Sequence, residues 1–157
     1  MDDEQLLALK ANGGVIQTVA FRGYLNGKKH AAWRKEYDAL MRKVGKEMGI
    51  TVVTDRRQVF MMPPAARAEY LASIQPVIDR IADTPEALSA PPVDGADFVD
   101  HIDYLVAKIG IDHVGISSAF DGGGGVAGWN DADETFNVTL ELVKRGYTEA
   151  EIDKLWS

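Results

Sequence analysis

The sequence predicts an α/β fold, and three observations carry that prediction. Two short apolar runs rich in β-branched residues, "GVIQTVAF" at 14–21 and "DHVGIS" at 112–117, read as strands. The stretches between and around them repeat apolar residues at spacings of three and four, the period of a half-buried helix. Strands kept apart by helices pair in parallel through right-handed crossovers. A parallel sheet is normally larger than two strands and covered on both faces. The expectation is therefore a piece of a larger α/β domain, with both chain ends lying at helices that continue the cut domain.

Each element has a local reason. Residues 2–12, "DDEQLLALKAN", read as a helix with Asp2 or Asp3 as cap, acids in the first turn and Gly13-Gly14 as stop. The first strand ends near Phe21, and "RGYLNGKK" reads as a loop. Residues 28–49 read as a charged helix with Trp33, Tyr37, Leu40, Val44 and Met48 in one stripe. "ITVVTDRRQVFMMPP" is ambiguous and has room for a short extended piece before Pro63. From Pro64 to Asp83 the pattern is helical, with Pro64 suited to the first turn and Pro76 expected to kink or split the segment. "TPEALSAPPVDG" reads as a linker-like loop. "ADFVDHIDYLVAKIG" reads as a helix with Phe98, Ile102, Leu105, Val106 and Ile109 on one face and Gly110 at its end. After the second strand and a glycine run, a helix is expected from about Asp133 to Arg145. A last one follows, capped by Thr148 with Glu151 at the capping-box position.

Composition excludes several classes of function. Of 157 residues, 46% are hydrophobic and 26% charged, a globular balance. The net charge of −7 argues against a nucleic-acid partner and against docking on anionic lipid, both of which need clustered Lys and Arg. There is no cysteine, which removes disulfides, zinc–thiolate sites and cysteine nucleophiles. No apolar run approaches the roughly 18–20 residues of a membrane span. The opening "MDDEQLLALK" carries acids where a signal peptide has a basic region. The sequence assigns no compartment.

In parallel α/β folds ligands sit at the carboxyl ends of the strands. That rule selects Phe21-Arg22-Gly23-Tyr24 after the first strand and Ser117 to Asp121 after the second. Asp121 either ligates a metal or moves a proton, or it caps a turn. The run Gly122–Gly125 either lets a backbone approach a ligand, or hinges a lid, or is plain loop. It lacks the lysine and the immediate helix of a phosphate cradle. His30, His101 and His113 include no pair at zinc-helix spacing. His101 lies among Asp97, Asp100 and Asp103, which reads either as an ordinary i−4 pairing or as a cation-binding cluster.

The residues at 97–156, from "DFVDHIDYLVAKIGIDHVGISSAFDG" to "LVKRGYTEAEIDKLW", resemble the C-terminal part of the membrane (renal) dipeptidase family of zinc peptidases. "DDEQLLALKANGGVIQTVAF" resembles an earlier segment of the same family, and the likeness is weakest at about 28–90. The resemblance implies a partial (β/α)8 TIM-type barrel holding only the last strands and helices. Residues 1–157 would form one C-terminal portion of the barrel, with 28–90 as a helical insertion between strands. It implies a hydrolase acting on dipeptides with two zinc ions. The family's zinc ligands and substrate-binding arginine would align upstream of Met1, so no metal is expected in this chain alone. The family pattern Gly-Ser-Asp-Phe-Asp-Gly meets Ser117-Ser118-Ala119-Phe120-Asp121-Gly122 here. The active-site acid of that pattern falls on Ala119, while Asp121 is kept.

Phe21 and Tyr24 are expected either to line the substrate pocket or to pack the rim. Trp129 either closes over the site or anchors its loop. The expectation is a dipeptidase portion inactive as an isolated chain. The alternative is a non-catalytic assembly module, completed by a second copy as a homodimer or by a complementing N-terminal segment.

Overall fold

The computed structural model describes residues 1–84, 87–120 and 122–157. In chain order its elements are α1 (Asp3–Ala11), β1 (Ile16–Val19), α2 (Arg22–Leu25), α3 (Gly27–Glu47), α4 (Arg56–Phe60), α5 (Pro64–Ala82), α6 (Gly95–Ile109), β2 (Val114–Ser117), α7 (Phe136–Lys144) and α8 (Glu149–Trp156). Short 3-10 turns lie at Ile111–His113 and Ala132–Glu134. The chain divides into two compact units, residues 1–30 with 92–157, and residues 31–91.

The first unit holds both strands. β1 and β2 pair in parallel, with Ile16 opposite Val114 and Val19 opposite Ser117. Thr18 is buried and Ile16 packs against the core, while Gln17 and Val19 are exposed, as the twofold alternation of a strand requires. Gln17 lies across Gly115: a β-carbon there would sit 2.6 Å from the Gln17 amide. Each strand follows a capped helix. In α1 the Asp2 carboxylate accepts from the Gln5 N–H at 2.9 Å and the Gln5 side chain accepts from the Asp2 N–H at 3.1 Å. Asp94 and Asp97 make the same reciprocal cap at the start of α6.

α6 is the spine of this unit. It packs against α1, α2, α7 and β2. Phe98, Val99, Ile102 and Ile109 are fully buried. Val99 lies outside the sequence-derived stripe because a helix surrounded by several neighbours buries more than one face. Val126 and Trp129, from the loop after β2, complete the core with Val138, Leu142 and Leu155. Arg145 ties α7 to α6: its guanidinium donates to Asp100 and Asp103, both at 2.6 Å, to the Ala96 carbonyl at 2.9 Å, and to Glu141 at 3.1 Å. Tyr147 donates to Asp103 at 2.7 Å, and burial together with that carboxylate pushes its hydroxyl above the ordinary tyrosine range.

The second unit is helical. Its core is Met41, Val44, Ile74, Val77 and Ile81, with Tyr37, Leu40 and Met48 of the predicted α3 stripe half-buried beside it. Trp33 stacks on Tyr37 with ring centroids 4.7 Å apart. Tyr70 fixes the stretch before α4 by donating to the Val53 carbonyl at 3.1 Å and accepting from the Val53 N–H at 2.8 Å. Glu36 accepts from the Ser89 and Ala90 N–H groups at 2.8 and 3.0 Å and from the Ser89 hydroxyl at 2.8 Å. The linker-like reading of that segment misses this tether; its Pro85 and Glu86 lie outside the described residues.

Two local expectations are corrected and one ambiguous stretch is resolved. "RGYLNGKK" is not a loop: it forms α2 and the start of α3, with Asn26 between them accepting from the Lys29 N–H at 3.1 Å. The ambiguous stretch before Pro63 contains no strand among the described residues; Asp55 instead caps α4 by accepting from the Arg57 N–H at 2.9 Å. Pro76 does not split its segment. α5 runs through it because Ile74, Val77 and Ile81 are buried on both sides, and that packing outweighs one lost backbone hydrogen bond.

Candidate active site at the carboxyl ends of the strands

Both strands deliver their following residues to one place. The Ala20 N–H still donates to the Ser117 carbonyl at 3.0 Å, so the pairing extends one step past β1. The chain then turns sharply, with the Phe21 N–H bonded to the Val19 carbonyl at 2.8 Å, and Phe21 opens α2. This brings Phe21 and Tyr24 together, ring centroids 4.7 Å apart. Tyr24 is 72% exposed, whereas Phe21 is half-buried.

The glycine run lies across these ends. Gly124 is buried, and a β-carbon there would sit 2.4 Å from the Ala119 methyl carbon and 2.8 Å from the Ala20 carbonyl oxygen. The Arg22 Nε–H donates to the Gly124 carbonyl at 2.8 Å. The glycines therefore serve close approach, but to the chain's own strand ends. Asp121 lies outside the described residues.

Trp129 is buried, with Phe98, Phe120 and Trp156 rings 5.2, 5.6 and 6.1 Å from it. Its indole N–H donates to the Thr135 hydroxyl at 3.1 Å, so it anchors the loop. It lines a cavity of about 290 Å³ with Asn137 and Lys144, whereas Tyr24 lines a cleft of about 740 Å³. The structure thus brings Phe21, Tyr24, Ala119 and the glycines to the strand ends, while Trp129 and Tyr24 line different cavities.

The larger cleft follows the free edge of β1, walled by Leu6, residues 16–19, Leu25 and the α6 side chains His101, Tyr104 and Leu105. The Thr18 hydroxyl oxygen is buried there without a hydrogen-bond partner among the described residues. At one end the Asp97 carboxylate accepts from Lys29 Nζ at 2.6 Å and from the Asn26 amide at 2.9 Å, and Lys29 also reaches Asp94 at 2.8 Å. Burial pushes the Asp97 carboxyl up, but Lys29, the Asp94 N–H and Asn26 together hold it below the ordinary aspartate value. Burial likewise works against the Lys29 ammonium, and the Asp94 and Asp97 carboxylates keep its pKa raised.

The histidines and acids do not converge. His101 Nε2 is 2.8 Å from the Leu25 carbonyl and His113 Nδ1 is 2.8 Å from the Gly14 carbonyl. Asp97 is held by Lys29, and Asp100 and Asp103 by Arg145, so neither the Asp97–His101 pairing nor a cation cluster is the role these groups take. Among the described residues no group of three or more His, Asp or Glu side chains is placed to hold a metal ion.

Two side chains that tie distant segments together around these strand ends escape a sequence reading. Arg22 belongs to the tetrapeptide that the strand-end rule selects, yet its reach to a glycine 102 residues later has no local signal. Lys29 reads as one cation of a charged helix, and its partners lie 65 and 68 residues away.

Comparison with known proteins gives this site a context. A crystal structure of the probable dipeptidase PvdM from Pseudomonas aeruginosa matches the whole chain with a TM-score of 0.60 and 34% identity, and the chain covers 38% of it. The dipeptidase ataJ of Aspergillus terreus (strain NIH 2624 / FGSC A1156) is 42% identical over 62 residues, which are 39% of this chain and 15% of that protein. The chain thus spans well under half of the length of either relative. The model of the membrane dipeptidase family, peptidase family M19, matches residues 1–157. With every residue inside that match and the strand ends arranged as described, the chain belongs to the membrane dipeptidase family.

Proposed function

We propose that this chain is the carboxyl-terminal portion of a zinc-dependent dipeptidase barrel, contributing the last two strands and part of the substrate pocket, and that alone it does not hydrolyse dipeptides. The observation that carries the reading is the convergence of Phe21, Tyr24, Arg22, Ala119 and the glycine run at the carboxyl ends of two parallel strands. Barrel enzymes place their chemistry at those ends. In this reading residues 1–157 are one barrel portion, with 28–90 inserted between strands.

Phe21 and Tyr24 flank the side chain of a bound dipeptide with a broad aromatic surface. Trp129 holds the loop that brings the glycines back. Ala119 stands where the resemblance implies the proton-handling acid, and a methyl group transfers no proton. Asp121 is the carboxylate that remains in the stretch. M19 peptidases generally use zinc, and in this reading the ligands come from the part of the family fold that this chain does not span. Every role assigned to the present residues is therefore one of binding or positioning.

The test is to read the DNA on both sides of this reading frame. In-frame upstream codons for a His-x-Asp pair, a glutamate and two further histidines sustain the proposal. A start and a stop that bound these 157 codons overturn it for the natural product.

A second reading, an assembly module, is favoured by the free edge of β1. Outward backbone groups of an edge strand, an apolar cleft beside it and the Thr18 hydroxyl, which has no partner among the described residues, together suit an added strand. Light scattering checks it: a stable homodimer, or a stable complex with a complementing N-terminal segment, supports assembly. A monomer that ignores such a segment removes it.

A further inference from the structure

We infer that Arg22 is a positioning residue that latches the glycine run over the ends of both strands. The latch itself rests only on geometry; its importance for a substrate rests on the dipeptidase reading. Arg22 follows β1, and its Nε–H donates to the carbonyl of Gly124, in the loop that follows β2. The hydrogen bond therefore joins α2, which follows β1, to the loop that follows β2, the two segments on which the candidate site is built.

The packing around it explains why glycine stands at two successive positions. At Gly125, φ is +84°, and a β-carbon would sit 2.2 Å from Arg22 Nη2. At Gly124 the obstacle is different: the Ala119 methyl carbon at 2.4 Å and the Ala20 carbonyl oxygen at 2.8 Å. One glycine makes room for the guanidinium and the other for the strand ends. Gly123 has nothing within 4 Å of such a β-carbon, so its surroundings ask for no such economy of space. A run that only needed to be flexible would show no such division between adjacent positions.

The consequence is a cover. Ala20 and Ala119 are the residues just beyond the paired strands, and the latched Gly124 packs on both. Anything that touches them from the loop side has to displace Gly124, and Arg22 opposes that displacement. A guanidinium suits the task because it donates from a rigid plane while its stem packs along the chain.

Hydrogen exchange on the whole 157-residue chain, without metal or dipeptide, tests the latch. In Arg22→Met, which keeps a long stem but has no donor, amides of residues 122–127 are expected to exchange at least about tenfold faster, the low end of what a hydrogen bond to a charged group is worth. Amides of α6 and the thermal midpoint stay as in the native chain. Arg22→Lys, which restores a cationic donor, recovers a large part of the protection. Native protection in Arg22→Met overturns the proposal, since the stem alone then suffices. Equal acceleration in α6 also overturns it, because Arg22 then supports the whole unit and not the loop. Since no activity is read, this result and that of the dipeptidase reading stand or fall separately.

Discussion

The two compact units are held together in different ways. The unit made from residues 1–30 and 92–157 contains the strands, the aromatic pair and the two ionic knots around Lys29 and Arg145. The unit made from residues 31–91 is helical, and its core is a short list of Met, Val and Ile side chains with tyrosines at the margin. Some of its charged groups tether loops, as Glu36 does at Ser89 and Arg34 at the Thr54 carbonyl. The segments whose motifs resemble the dipeptidases, 2–21 and 97–156, both fall in the first unit. The motifs legible in the sequence thus lie in the unit that carries the strand ends, although the family match runs through both units.

Core truncation breaks this contrast most strongly. Phe98→Ala should cost about 4 kcal/mol and Ile81→Ala about 3 kcal/mol. Hydrogen exchange should rise in α6 and α7 for the first and in α3 and α5 for the second. Loss of protection in the same helices for both variants would dissolve the two-unit description.

Asp97→Ala comes next, at about 2 kcal/mol in denaturant titration, because it removes the closer of the two carboxylates on Lys29 and the reciprocal cap of α6, while Asp94 still faces the ammonium. The Asp97 carboxyl is held below the ordinary 3.8, so its contribution is present above that value and lost as pH falls through the lower native value. The Lys29 ammonium is held above the ordinary 10.5, so its contribution is complete below that value and lost as pH rises through the higher one. Native stability from this pair should therefore be flat between about pH 5 and pH 9 and fall on both sides. Asp97→Asn should flatten the acid limb, which a series of midpoints against pH would reveal.

Gly124→Ala should cost about 2 kcal/mol, since backbone at Ala20 has to yield to the new methyl group. The same change at Gly27, where nothing lies within 4 Å, should leave the midpoint unmoved. The smallest effect is expected at Glu36→Gln. Its carboxyl is held below the ordinary range by the Ala90 N–H and by Ser89, and the change should speed exchange at Ser89 and Ala90 without moving the midpoint.

What the sequence makes legible is local. The cap at Thr148 is legible because cap and partner lie three residues apart, whereas the sequence narrows the first cap to Asp2 or Asp3 and the structure selects Asp2. The parallel strand pair follows from two apolar runs and the helices between them. α2 is missed because it is four residues long and carries Gly23, which contributes no helical signal. The acidic run at 97–103 invites a histidine pairing or a cation, and neither Lys29 nor Arg145 can be matched to it from spacing alone. Trp129 is ambiguous in the sequence, since an aromatic near a glycine run has no direction until the Thr135 hydroxyl and three rings give it one.

The measurement that reaches the account most directly is zinc content after equilibrium dialysis of the purified chain, read together with dipeptide hydrolysis on the same sample. The account predicts zinc well below one ion per chain and no turnover, with the chain folded throughout. Stoichiometric zinc together with dipeptide cleavage would contradict it.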